Sequence, residues 1–173
     1  MPPAHGSDEE MQLPRALEHV AEVHSELIED LRTIGDRHRP EADVFHMCHS
    51  LADRLVPLGV ALASNAERYG KDVQGPSTGS AWSDALARVR RRMSDVAGKS
   101  PQSGLLLLWD LRHLYLEAQE DLLGWTMLGQ AAKARRDKEL RALTDLGYHE
   151  IERVVKWLTT MTKTASPQAL TSG

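Results

Sequence analysis

Residues 12–37, QLPRALEHVAEVHSELIEDLRTIGDR, carry the pattern that decides the fold. Leu13, Leu17, Val20, Leu27, Leu31 and Ile34 recur at steps of three and four, which places them on one face of an α-helix. The opposite face carries Glu18, Glu22, Glu26, Glu29 and Asp30. A helix of this kind has an apolar stripe to bury, and only other elements with matching stripes can bury it. The one slot in the series without an apolar residue is His24.

Outward from this segment the same period continues. Pro40 breaks the first helix, because proline disfavours helical backbone in the residue before it and is tolerated in a first turn. A second helix is predicted over 40–69, with Val44, Cys48, Leu51, Leu55, Leu58 and Leu62 as its stripe and Gly70 as its cap. Pro57 falls inside it and predicts a kink. Residues 71–79 read as a loop. A short helix follows over 80–97 with Trp82, Leu86, Val89, Met93 and Val96 on one side, and residues 99–104 form a second loop.

The third long helix, 105–135, has two apolar stripes. Leu111, Tyr115, Ala118, Leu122 and Trp125 share one face, while Trp109, Leu116, Leu123 and Met127 share nearly the opposite one. A helix apolar on both sides must be covered on both sides, by the short helix or by a second subunit. The fourth, 137–164, packs Leu140, Leu143, Gly147, Ile151, Val154, Leu158 and Met161. The expectation is an all-α, four-helix bundle with a long crossover between the second and third long helices and one short additional helix. Its domain spans 11–164, flanked by a flexible tail at 1–10 and a C-terminal tail at 165–173 that contains Pro167.

Composition bounds the function. The 173 residues are 41% hydrophobic and 27% charged, with a net charge of −4, so the chain can bury a sizeable core but lacks the basic field of a nucleic-acid binder. Cys48 is the single cysteine and forbids an internal disulfide. The N-terminal residues are polar and acidic, unlike a secretory signal, and no apolar run spans a bilayer. The expected setting is soluble and cytoplasmic, without a membrane partner.

Several residues could carry chemistry. An imidazole at His24, in the middle of a core stripe, needs a carboxylate or carbonyl partner or a metal. Glu117 and Asp121 lie one turn apart at the edge of the third helix's main stripe, Glu120 falls amid its second stripe, and Glu150 flanks the core face of the fourth helix. Inward carboxylates with histidine are how bundles hold two iron or manganese ions. The bland alternative is that these carboxylates form interhelical ion pairs and a solvated edge. The Glu-x-x-His pattern of di-metal bundles is missing from every core-facing position, and the second helix's stripe is wholly apolar. His46 and His49, three apart, could share a metal but lie away from Leu51 and Leu55. The arginines at 88 and 90–92 and the basic run 133–136 suggest anion contacts, but in an acidic, helical setting they read better as solvated faces. No phosphate loop, zinc cluster or nucleophile triad is present, which leans the chain away from an enzyme.

The chain resembles a family of uncharacterised bacterial ferritin-like helical-bundle proteins over most of its four long helices. The resemblance is carried by Val23-His24 with Glu26, Cys48 to Ala52, Glu67-Arg68-Tyr69-Gly70, Leu114-Tyr115-Leu116 with Glu120, Trp125, Gly129-Gln130-Ala131-Ala132, Glu150 with Arg153, Lys156-Trp157-Leu158, and Ser166-Pro167-Gln168-Ala169-Leu170. It implies metal ligands at His24, Glu120 and Glu150. The sequence departs from the family at Leu58 and Val154, where polar side chains are expected, and both departures remove ligands.

Three functional expectations follow. The first is a structural or partner-binding bundle with an incomplete metal site, dimeric through the second stripe of the third long helix. The second is a di-iron or manganese redox or iron-handling protein of stress defence, with His24, Glu117, Glu120, Asp121 and Glu150 as its ligand pool. The third is binding of an anionic ligand or acidic partner by the arginine-rich short helix.

Overall fold

The computed structural model describes residues 12–76 and 103–171. They form four helices: α1 (Gln12–Arg37), α2 (Ala42–Arg68), α3 (Ser103–Arg135) and α4 (Lys138–Thr171), with no strand among the described residues. The all-α four-helix bundle expected from periodicity is therefore the architecture. The tail at 1–10, the short helix expected over 80–97 and its arginines at 88 and 90–92 lie outside the described residues.

Each helix packs on two others: α1 on α2 and α3, and α4 on α3 and α2. Residue pairs fix the directions. Gly35 lies against Cys48 while Glu18 pairs with Lys71, so α1 and α2 run antiparallel. Val20 meets Gly124 and Arg37 meets Asp110, so α3 is antiparallel to α1. It follows that α2 and α3 point the same way, and that α2 ends and α3 begins at opposite ends of the bundle. The chain leaving α2 turns back at once: Gly75 lies near Ala63, and Pro76 packs against Gly59.

The core is aliphatic. Leu17, Leu27, Ile28 and Leu31 of α1 interlock with Leu55 and Leu62 of α2, with Leu111, Leu114, Trp125 and Leu128 of α3 and with Leu140 and Ile151 of α4. Gly147 is required by this packing, because a Cβ there would overlap the Trp125 ring.

The helix ends follow from local chemistry. Gly70, at φ 78°, closes α2: its N–H reaches Glu67 O at 2.9 Å and that of Lys71 reaches Ala66 O at 3.0 Å. Asp137 caps α4 by accepting from the Glu139 and Leu140 N–H groups at 3.1 and 3.0 Å. Its other oxygen accepts from the Tyr69 hydroxyl and from Arg68, which ties the end of α2 to the start of α4.

One boundary lies well beyond the sequence expectation. Helix α4 runs through Pro167 to Thr171, where periodicity ended it at 164. The first turn of α3 supports this extension, since Gly104 lies against Ala169, and the Ser166 hydroxyl back-bonds to Thr162 O at 2.6 Å. The helix thus continues by packing past a proline that removes one backbone donor. Helix α2 likewise carries Pro57 inside its span without ending there. No helix of the described residues is long and apolar enough to cross a membrane.

Candidate functional site

The polar residues of interest lie along the seam between α1 and α3, where three clusters succeed one another. At the centre, His24 is fully buried against Asp121, itself fully buried. His24 Nδ1 lies 2.7 Å from Asp121 Oδ2, and His24 Nε2 donates to Leu55 O at 3.0 Å. A carbonyl only accepts, so Nε2 carries a proton. A second proton lies between Nδ1 and Oδ2, which makes the pair neutral overall whichever atom holds it. Burial pushes the His24 imidazole down, but the Asp121 carboxylate outweighs it and the net shift is upward. Burial pushes the Asp121 carboxyl up against the pull of His24. Trp125 stands edge-on to the imidazole, ring centres 5.4 Å apart, with its Nε1 directed at Nδ1 at 3.4 Å. Gly59 leaves room on α2 for the imidazole edge. Asp121 Oδ1 is buried with no hydrogen-bond partner among the described residues.

One to two turns away, Asp30 of α1 meets His113 and Glu117 of α3. His113 Nε2 lies 2.7 Å from Asp30 Oδ2 and 3.1 Å from Glu117 Oε1. One donor atom from each residue falls within 4.8 Å of the others, the geometry of a group that can hold a metal ion. Hydrogen bonds to Asp30 and Glu117 push the His113 pKa up to about 9. Burial pushes the Glu117 carboxyl up.

At the third cluster, Asp110 is buried under Arg37 and His38. Arg37 Nη1 lies 2.7 Å from both of its oxygens and His38 Nε2 lies 2.8 Å from Oδ2. Cys48 is fully buried nearby, and burial together with the Asp110 charge raises its thiol to about 12, so it is a core residue and not a nucleophile.

The residues singled out from sequence are thus dispersed. His24 and Asp121 pair with each other, Glu117 joins Asp30 and His113, and Glu120 is exposed on the outer side of α3. Glu150 is held by Arg54 of α2 through two bonds of 3.0 and 2.9 Å, which keep its carboxyl below the usual range. His49 binds Asp36, and His46 is exposed. Where the resemblance looks for further ligands, the core holds Leu58 and Val154. These positions do not fit a di-metal centre, because both nitrogens of His24 are already engaged, Glu120 and Glu150 lie apart from it, and Leu58 and Val154 supply no ligand atom. The bland alternative weighed above describes His24, Glu120 and Glu150 directly: a core histidine satisfied by carboxylate and carbonyl, a solvated edge, and an interhelical ion pair.

Sequence reasoning passed over Asp30 and His113. The available signal was the one-turn spacing of His113 and Glu117, which places both on the same face of α3.

The outer face of α3 is the other notable feature. Trp109, Leu116, Leu123 and Met127 remain 52, 49, 60 and 50% exposed. The second apolar stripe read from sequence is therefore present and about half exposed among the described residues.

Compared with known protein families, with characterised proteins and with solved structures, the chain matches none.

Proposed function

We propose that the chain is a ferritin-like helical bundle with a structural or partner-binding role, exercised as a homodimer through the outer face of α3. The observation that carries this reading is the exposure of Trp109, Leu116, Leu123 and Met127 along one side of a helix whose other side is fully packed. Aligned apolar side chains of this size, rimmed by polar residues, are the mark of an interaction surface. The ferritin-like assignment is supported by the packing of α1 on α3 and of α2 on α4, with α2 and α3 parallel, the arrangement of a bundle with one long crossover. The closed His24–Asp121 pair at the bundle centre favours a role outside di-metal chemistry.

Leu123→Lys tests this reading. Light scattering on a sizing column is expected to give a dimer for the parent chain at micromolar concentration and a monomer of unchanged helicity for the variant. A parent chain that elutes as a monomer overturns the reading.

A second reading, metal binding of an iron-handling or redox kind, rests on the Asp30, His113 and Glu117 group alone. A neutral imidazole with two carboxylates suits a divalent ion such as manganese or ferrous iron. Anaerobic titration should then load one ion per chain, abolished by His113→Ala. No uptake, or uptake unchanged in that variant, removes this reading.

A further inference from the structure

The outer face of α3 has an internal symmetry that specifies how two copies meet. Leu116 stands at its middle. Leu105 and Met127 lie eleven residues to either side of it, Trp109 and Leu123 seven, and Arg112 and Glu120 four. All seven fall on one side of the helix, because steps of three and four in an eleven-residue period, about 3.67 residues per turn, stay nearly parallel to the axis. Arg112 and Glu120 are exposed, and the Arg112 guanidinium leans over its own Trp109 ring, 5.9 Å from the centroid.

We infer that two copies pair α3 on α3 in antiparallel fashion, about a two-fold axis through Leu116. In that register each residue faces the one equally distant from Leu116 on the partner. Leu116 meets Leu116 of the partner subunit, Trp109 meets the partner's Leu123, and Leu105 meets the partner's Met127. Arg112 meets the partner's Glu120 on both sides of the axis. Every apolar residue finds an apolar one and every charge its opposite, over a contact about 33 Å long. A two-fold axis requires such self-complementarity of a single patch. Parallel pairing through the same face sets Arg112 on the partner's Arg112 and Glu120 on the partner's Glu120, and like charges so placed disfavour it. The inference rests on the self-association proposed above and adds its register.

Charge exchange and cross-linking test it on the full chain. Arg112→Glu and Glu120→Arg are each expected to weaken the homodimer at least tenfold, with helicity unchanged by circular dichroism, since both sites are exposed. Mixing the two variants, or combining both changes in one chain, should restore dimerisation to within about threefold of the parent, because opposite charges again face each other. Leu116→Cys should form a covalent dimer on mild oxidation, since facing helices bring these Cα atoms within disulfide reach. Trp109→Cys should not, its two copies being about 21 Å apart along the axis. A parent dimer whose double charge exchange fails to recover, or in which Trp109→Cys cross-links and Leu116→Cys does not, overturns the register while leaving self-association standing. A parent chain that is monomeric overturns both.

Discussion

The two sides of α3 invert the usual order of a water-soluble helix. Toward the bundle it buries Asp110 and Asp121 and half-buries Glu117, and toward the outside it exposes Trp109, Leu116, Leu123 and Met127. Across the seam Asp110 is met by Arg37 and His38 and Asp121 by His24, while Glu117 is met by His113 of its own helix, which also pairs with Asp30 of α1. The outward apolar residues are met by nothing comparable among the described residues. The difference teaches where each face finds its complement. The polar face is completed within the chain, whereas the apolar face is left about half exposed, and in the proposed function a second copy completes it.

The largest effects are expected on the inner face. Asp121→Ala leaves a buried imidazole without its carboxylate and should cost about 3–5 kcal/mol in urea unfolding. Replacing both partners, His24→Leu with Asp121→Leu, should recover part of that loss, because the ionisable pair leaves together and only the Leu55 O and Trp125 Nε1 contacts to His24 are forfeited. If the double variant is no more stable than the single one, the pair's value lies in shape and not in charge, and the contrast between the faces weakens.

Leucines on the two sides sharpen the comparison. Leu128→Ala, at a fully packed site, should cost about 2–4 kcal/mol. Leu123→Ala, at a 60% exposed site, should cost less than about 0.5 kcal/mol when the protein is dilute enough to be monomeric. Raising the protein concentration should widen the gap between Leu123→Ala and the parent, since a bound second copy stabilises the folded state by mass action. Comparable losses at both leucines under dilute conditions would show the outer face to be covered within the chain.

Between these extremes lies the end of the hairpin, where Asp137 links α4 to α2. Asp137→Ala should cost about 1 kcal/mol through loss of the cap. The Tyr69 hydroxyl, the Leu140 and Glu139 N–H groups and Arg68 hold the Asp137 carboxyl below its ordinary 3.8. A carboxylate so depressed contributes stability that is present above the unfolded value and lost as pH falls through the folded one. The parent should therefore lose stability below about pH 4 more steeply than Asp137→Asn does, read from melting temperature against pH.

Much of this was legible in sequence, and the remainder has physical reasons. The α1 boundaries follow from an unbroken stripe, and the outer stripe of α3 follows from a second set of apolar positions on one helix. His24 was identifiable as a core residue because it fills a slot in a series. Asp30 was not, because it sits beside the stripe on an acidic face that reads as solvated, and only the adjacency of α1 to α3 turns that flank into a seam. Glu150 looked inward from its spacing, but spacing is silent about Arg54, which lies outside its own helix's stripe and still reaches across. The extension of α4 past Pro167 depends on contact with the start of α3, a long-range fact that local propensity does not carry.

Sedimentation equilibrium of the full chain, run from submicromolar to about 100 micromolar beside Leu116→Lys, tests self-association most directly. The expected result is a reversible rise to twice the chain mass for the parent and a single-chain mass for the variant throughout. A parent that stays at single-chain mass over the whole range would contradict the account, and the exposed face of α3 would then have to be assigned to something other than a second copy.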